Sequence, residues 1–583
     1  MAESAWRRRF RAARVTLPTW ARDRVNRLLY ASNASGKWEL YVWDQQSDNH
    51  RQLTDRPEGT LAGQLDPNGE RTWWFDDDQG NEYGRWMVEP FAGGERSQAS
   101  PELPPAYSNG LALGRSFAVI GSSRDEGSAV HLVYPSQPPR LLYAHEQEAE
   151  VAALSRDETL FCLTHSEHGD SRHPALRILR TDGSTVADLW DGPGLGLWAG
   201  DWSPQPGDQR LLVQHERHDL PRPLVWQADT GEVSELPIDL PGEVEASWYP
   251  DASALLLKHD HGGRSELYRF DLSSSALQRI ETEPGSISRA AVRPDGEVWY
   301  EWTRSSTAPE VRAGGRTLLE APGEKAPAGV VYRDGTADGV PYFLAEPPGP
   351  RPHATVFQIH GGPASHDRDA FSPLVQAWVD HGLAVVLVNY RGSTGYGKAW
   401  RDGLEGNVGF TELEDIAKVR DWMVSSRIAD PSRTVLSGRS WGGYLTLLGL
   451  GTQPERWSLG VAGVPVADYV AAFEDEMEPL KAFDRALFGG SPAEVPDNYV
   501  VRSPITYIEQ VQVPVLITAG ENDPRCPIRQ IDNYVARLRA LGKPHEIYRY
   551  QAGHGSLKVD ESIRQMEVML DFVARHLGTR RPS

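Results

Sequence analysis

A turn-and-strand unit recurs along the first half of the chain and limits what that half can become. Asp66-Pro67-Asn68-Gly69, Ser155-Arg156-Asp157, Trp202-Ser203-Pro204, Trp248-Tyr249-Pro250-Asp251 and Arg293-Pro294-Asp295-Gly296 each precede a hydrophobic run. Their intervals lie near one or two multiples of about 45 residues, the length of a repeat that contributes four strands to a propeller blade. Segments opening near Arg27, Gly63, Gly110, Val151, Leu197, Val244 and Ile287 make about seven such units. Residues 28–320 are therefore expected to form a seven-bladed β-propeller. A β-sandwich or a pair of small barrels is the competing reading, because the repeat is degenerate and its third unit lacks the Pro-Asp turn.

The texture changes near residues 321–327, a run of Pro, Gly and Ala of the kind that links domains. A hairpin is expected at 330–345, and then strands and helices alternate. Apolar runs at 355–359, 384–388, 434–436, 459–464, 515–518 and 546–550 read as buried parallel strands. Between and after them, Leu413, Ile416 and Ala417, then Ile531, Tyr534, Val535 and Leu538, then Ile563, Met566, Leu570, Val573 and Leu577 fall at helical spacing. Residues 321–583 are expected to form a mostly parallel sheet with helices on both faces, an arrangement that places ligands at the carboxyl ends of its strands.

Composition narrows the partners. With 60 Lys and Arg against 81 Asp and Glu in 583 residues, the formal charge is −21, which repels phosphate backbones and anionic lipid and argues against nucleic-acid or membrane binding. The two cysteines, Cys162 and Cys526, make neither a disulfide framework nor a zinc cluster, so a reducing compartment is expected. The N-terminus is Arg-rich but has no apolar run behind it, and no stretch approaches the length of a membrane span. The expected location is cytoplasmic, with residues 1–27 as an arm docked on the second domain rather than a targeting segment.

Gly438-Arg439-Ser440-Trp441-Gly442-Gly443 lies directly after one expected strand and directly before a helix-like run. That context suits a nucleophile elbow, in which small residues on either side of the serine let a strained backbone approach itself. A serine hydroxyl near neutral pH needs a base to remove its proton, and histidine titrates in the right range. His554, between Gly553 and Gly555 and after the last expected strand, is the candidate base. His545 and His576 lie before that strand and at the end of the final helix, where surface roles are expected. Asp523, after the strand at 515–518, can accept the other imidazole N–H and fix its tautomer. Glu521 and Asp468 are the competing acids, and a solvated loop acid or helix cap is the bland alternative for each. Developing charge on the attacked carbonyl needs donors. Trp441 offers one backbone N–H, and Gly361 and Gly362 of His360-Gly361-Gly362-Pro363, at a strand's carboxyl end, offer another. This chemistry needs no metal and no cofactor.

Taken with Asn389-Tyr390-Arg391-Gly392-Ser393-Thr394-Gly395-Tyr396-Gly397 and Gly520-Glu521-Asn522-Asp523-Pro524-Arg525, the second half resembles the prolyl oligopeptidase family, and within it the acylaminoacyl-peptidase branch. The resemblance implies a serine peptidase acting on short peptides, since a folded protein cannot reach a site between propeller and hydrolase. It also implies that Arg525 reaches the substrate backbone or a terminal group, although an arginine beside an acid equally serves as a structural ion-pair partner. Tyr469 and Phe473, with Trp441, look like the lining of the pocket for the residue preceding the cleaved bond, which would favour apolar residues there. Core packing is the alternative for Phe473. Tyr390 and Arg391 are at least as well explained by structural roles. The family often assembles, and the hairpin at 330–345 offers an edge for a homo-oligomer.

The leading expectation is removal of N-acylated residues through an acyl-enzyme. Carboxypeptidase, dipeptidyl-peptidase or oligopeptidase specificity on the same scaffold, a carboxylesterase, and a non-catalytic propeller binding protein are the alternatives. A terminus-binding specificity would require a cation or a carboxylate pair near the site. The acidic run Glu474, Asp475, Glu476 and Glu478 reads as a solvated face.

Overall fold

The structure is a computed structural model that describes residues 3–579. Residues 1–2 of the expected arm and 580–583 of the expected hydrolase lie outside the described residues.

Seven four-stranded antiparallel units follow one another over residues 19–319. The second and third are joined into one sheet by the pairs Tyr83 with Tyr107 and Gly84 with Ala106. Strand alternation explains how the units stack. In Leu160–Asp170, the second strand of blade 4, Leu160 and Cys162 pack toward Leu197 and Trp202 of blade 5. Phe161 and Leu163 point the other way, onto Ala112, Val119 and Val130 of blade 3. Both faces of a blade are thus buried, and each such side chain contributes about 1.5–3 kcal/mol of burial. The first strands of the blades surround a channel of about 920 Å³, to which Trp20, Gln64, Leu111, Ala152, Trp202 and Arg289 contribute.

Blade 1 draws all four strands from the N-terminal side and blade 7 all four from the C-terminal side, so no strand crosses between them among the described residues. Side chains close the ring instead. Trp20 meets Trp299 edge-on at 5.7 Å, and the Arg293 guanidinium lies over both rings at 4.9 and 4.5 Å. Arg293 also donates to the Val25 carbonyl at 2.8 Å.

The expected arm is divided in the structure. Its helix Ala5–Arg11 packs on the second domain through Trp6, which is 2% exposed and buried among Trp378, Phe572 and Val573. Its last strand, Thr19–Ala21, pairs with Arg24–Ser32 and opens blade 1, so strand pairing of the propeller starts before residue 28. Three residues between Pro18 and a turn are too few to show alternation in sequence.

The second domain is one eight-stranded sheet. In spatial order it runs Arg333–Ala337, Val340–Ala345, Ala384–Val388, His353–Ile359, Ala429–Arg439, Leu459–Gly463, Val515–Gly520 and His545–Tyr550. The first two pairings are antiparallel and the rest parallel. Alternate residues again feed opposite layers. Phe357, Val386 and Leu436 face the helices Phe410–Ser425, Trp441–Thr452 and Ile528–Ala540. Val356, Val385 and Val435 face Pro373–Asp380 and Val559–Leu577. The hairpin strand Arg333–Ala337 is an edge of this sheet.

Candidate active site

Ser440 stands between the strand Ala429–Arg439 and the helix Trp441–Thr452 with φ 55° and ψ −122°. Left-handed φ is costly for a side chain with a Cβ. It persists because the flanking glycines permit contacts that nothing larger would. A Cβ on Gly438 would lie 2.4 Å from the Gly442 carbonyl carbon, and one on Gly442 would lie 2.1 Å from the Ile359 carbonyl oxygen.

His554 follows the last strand, and its Nδ1 is 2.8 Å from Asp523 Oδ2. Asp523 is 4% exposed, and its other oxygen accepts the backbone N–H groups of Arg525 and Cys526, each at 2.9 Å. A carboxylate held this way is fixed in position and orients the ring, leaving Nε2 to exchange a proton. The histidine loop is itself anchored, since Arg439, next to the serine, donates to the His554 carbonyl at 2.8 Å.

The Gly361 backbone lies against the serine: a Cβ there would be 3.3 Å from Ser440 Cβ and 3.8 Å from the amide nitrogen of Trp441. His360 stacks on Tyr390 at 4.3 Å and shares a hydrogen bond with Ser393 Oγ at 2.8 Å. The Tyr390 hydroxyl donates to the His360 carbonyl at 2.9 Å. Burial pushes the His360 imidazole down to about 4, so it supports the glycine loop as a neutral ring. Arg391 is tied to Asp415 at 2.8 Å. Tyr390 and Arg391 therefore brace the loop structurally.

A cavity of about 410 Å³ opens at Ser440 and is lined by Gly362, Trp441, Tyr469, Phe483 and Arg525. Phe473 does not line it, contrary to expectation. The helix Pro496–Arg502 covers that turn, and Phe473 packs edge-on against Tyr499 at 5.6 Å. Phe483, on the helix Glu478–Phe488, takes the place beside Trp441. The Arg525 guanidinium is held by both oxygens of Glu82 at 2.8 Å, from blade 2. The propeller also sends Glu148 and Ser171 of blade 4 into the cavity wall.

The competing acids are occupied elsewhere. Asp468 caps its helix through the Ala471 N–H, and Glu521 pairs with Arg549. Sequence reasoning missed Glu82, Glu148, Ser171, Glu476, Phe483 and Asp484. The acidic run was expected to be a solvated face, which holds for Glu474 and Asp475, but Glu476 lies just past the end of the helix Tyr469–Asp475, in extended conformation, and turns inward.

Among the described residues, two groups of side chains have the spacing of metal ligands. Asp523, Cys526 and His554 form one, but Asp523 already accepts two backbone donors, and burial raises the Cys526 thiol well above its ordinary value. His173, Asp402 and Glu405 form the other, where Arg172 answers both carboxylates. Neither set offers the unpaired donors that a cation needs.

An acid-held histidine, a serine on a strained elbow and backbone donors at a sheet's carboxyl end, all beneath a propeller, define a serine-type hydrolase. Residues 369–580 match the model of the prolyl oligopeptidase family. The acylamino-acid-releasing enzyme of Mus musculus is 28% identical over 93% of this chain and 70% of its own length. Among solved structures, a puromycin-hydrolyzing peptidase of Mycobacterium tuberculosis aligns with TM-score 0.84 at 19% identity, over 99% of this chain and 96% of that one. An acylaminoacyl peptidase of Pyrococcus horikoshii aligns with TM-score 0.73 at 16% identity, over 100% of this chain and 98% of that one. The protein is a serine peptidase whose catalytic domain belongs to the prolyl oligopeptidase family.

Proposed function

We propose that Ser440, His554 and Asp523 form a catalytic triad that cleaves short peptides after N-acylated residues. The observation that carries this reading is the 2.8 Å contact between His554 and Asp523, beside a serine that opens into a cavity roofed by the propeller. Ser440 Oγ attacks the scissile carbonyl while His554 Nε2 takes its proton. The Trp441 N–H and the Gly361–Gly362 backbone meet the oxyanion. Collapse of the tetrahedral intermediate breaks the C–N bond, and His554 returns the proton to the leaving amine. Water, deprotonated by the same imidazole, then releases the acyl group. Glu148 and Ser171 over the cavity support a preference for small substrates. The mouse relative's name supports the acylated N-terminus.

The buried, unpaired thiols Cys162 and Cys526 suit a reducing cytoplasmic setting. No described helix is long and apolar enough to cross a membrane. The exposed sheet edge at Arg333–Ala337, with Val331 69% exposed beside it, supports assembly through that edge, which a single-chain mass in solution would refute.

The deciding experiment compares an N-acetylated chromogenic substrate with its free-amine counterpart and a C-terminally blocked peptide, with Ser440→Ala as control. Preference for the acetylated form, lost in the variant, supports the reading. Indifference to acetylation with dependence on a free C-terminus points to a carboxypeptidase and overturns it.

A further inference from the structure

The cavity beside Ser440 has aromatic and aliphatic walls, with Leu480 and Val466 beside Trp441 and Phe483, but its lining is not wholly apolar. Glu476 and Asp484 also line it, and they are buried, at 4% and 3% exposure. Each keeps one oxygen without a hydrogen-bond partner, Oε1 of Glu476 and Oδ2 of Asp484, and the hydroxyl of Tyr469 beside them is likewise unpartnered. Glu148 brings a third carboxyl from blade 4. A fold that buries acceptors without donors bears a free-energy cost, which a ligand carrying donors and positive charge would relieve.

The cations around this wall are already answered. Arg525 is clasped by Glu82, and Arg485 lies 2.8 Å and Lys481 3.7 Å from Glu478. Cys526 is held neutral by burial. What remains facing the cavity beside Ser440 is an excess of carboxyls.

We propose that this cavity receives the cationic side chain of a Lys or Arg residue preceding the cleaved bond, with Glu476 and Asp484 meeting its ammonium or guanidinium group. The assignment rests on the peptidase reading above and replaces the apolar preference expected from sequence. The cavity's roughly 410 Å³ falls in the range of small-ligand pockets.

The protonation of the wall supports it. Burial raises Asp484 to about 8 despite the nearby Arg485 and a hydrogen bond with Glu476, and burial together with the charge of Asp484 raises Glu476 well above its ordinary value. Burial, with Glu150 nearby, raises Glu148 to about 7. An empty cavity therefore keeps protons on these groups near neutrality, and a cation binds the form that has lost them. Preference for a charged substrate should rise as pH rises through about 8 and fall below it, because acid restores the protons that compete with the ligand.

The test measures kcat/KM for N-acetyl-lysine, N-acetyl-arginine and N-acetyl-norleucine chromogenic substrates, norleucine being the uncharged counterpart of lysine, alongside free-amine norleucine. The expected result is a lysine-to-norleucine ratio of at least about ten that grows with pH and falls about tenfold or more in Glu476→Gln and Asp484→Asn. Glu474→Gln, on the exposed face beside Arg529, should leave the ratio as it is. The pH dependence uses the unaltered protein and so survives any folding defect in the variants. Equal hydrolysis of lysine and norleucine substrates at every pH overturns the assignment while leaving the peptidase reading intact. Preference for free-amine norleucine over acetyl-lysine assigns the carboxyls to a substrate α-amine and overturns it too. No hydrolysis of any substrate, with no labelling of Ser440 by a fluorophosphonate, overturns the peptidase reading itself.

Discussion

Asp523 shows how one side chain is prepared for its work. Two backbone donors hold one oxygen, and His554 takes the other at 2.8 Å. Asp523→Asn preserves the shape but presents an amide that can donate to Nδ1, favouring the wrong tautomer. It should lower kcat by about 10⁴-fold with little change in thermal stability, measured by steady-state kinetics beside a melting curve. At this scale the sequence was informative where the backbone itself is constrained. Gly438 and Gly442 flank Ser440 because no Cβ fits there, and such a requirement leaves a mark in the residue types. It misled on Glu476, whose neighbours Glu474 and Asp475 are solvated, and was silent on Asp484, whose burial depends on which face of the helix Glu478–Phe488 meets the cavity. Phe473 was misplaced because the neighbouring helix Pro496–Arg502, through Tyr499, holds it half-buried away from the cavity, which its residue type does not reveal.

Among the elements, the joint between blades 1 and 7 combines an apolar cluster, Leu28 and Tyr30 with Trp299 and Val311, with the contacts of Arg293. Arg293 fills the space between Trp20 and Trp299 and reaches the Val25 carbonyl. Arg293→Ala removes those contacts together and should destabilise the chain by about 1–3 kcal/mol, read as a shift in a urea unfolding curve. The blades were legible because five turn motifs at a regular spacing each precede a hydrophobic run, and that spacing outweighs the local degeneracy of the repeat. Thr19–Ala21 was not, because a three-residue strand has no period to detect. The parallel strands were visible as continuous apolar runs, since helices cover both of their faces.

Across the whole molecule, the two domains meet through charged pairs that neither half's sequence announces. Arg401 reaches Glu216 of blade 5, and Arg172 and His173 of blade 4 face Asp402. Burial opposes a charge on His173, but hydrogen bonds with Asp170 and Asp402 outweigh it and raise the imidazole from 6.5 to about 9. A raised histidine contributes its stabilisation fully below 6.5 and loses it as pH climbs through about 9. Melting temperature should therefore decline over that interval, and His173→Gln should flatten the decline, measured by calorimetry across pH. A slope unchanged in the variant would assign the effect elsewhere.

The seam that no strand crosses gains meaning from where the chain passes between domains. One passage runs from the helix Ala5–Arg11 into blade 1, and the other leaves blade 7 for the sheet, so both lie beside that seam. The molecule is built like a locket whose covalent links are gathered at the seam, while charged pairs at blades 2, 4 and 5 fasten the rest of the rim. The clasps at Glu82, Arg172 and Glu216 are salt bridges, which dissolved salt screens. Charged pairs also join the domains near the links, Lys558 with Glu58 and Arg264 with Asp334, so ionic strength bears on the whole rim of the domain contact.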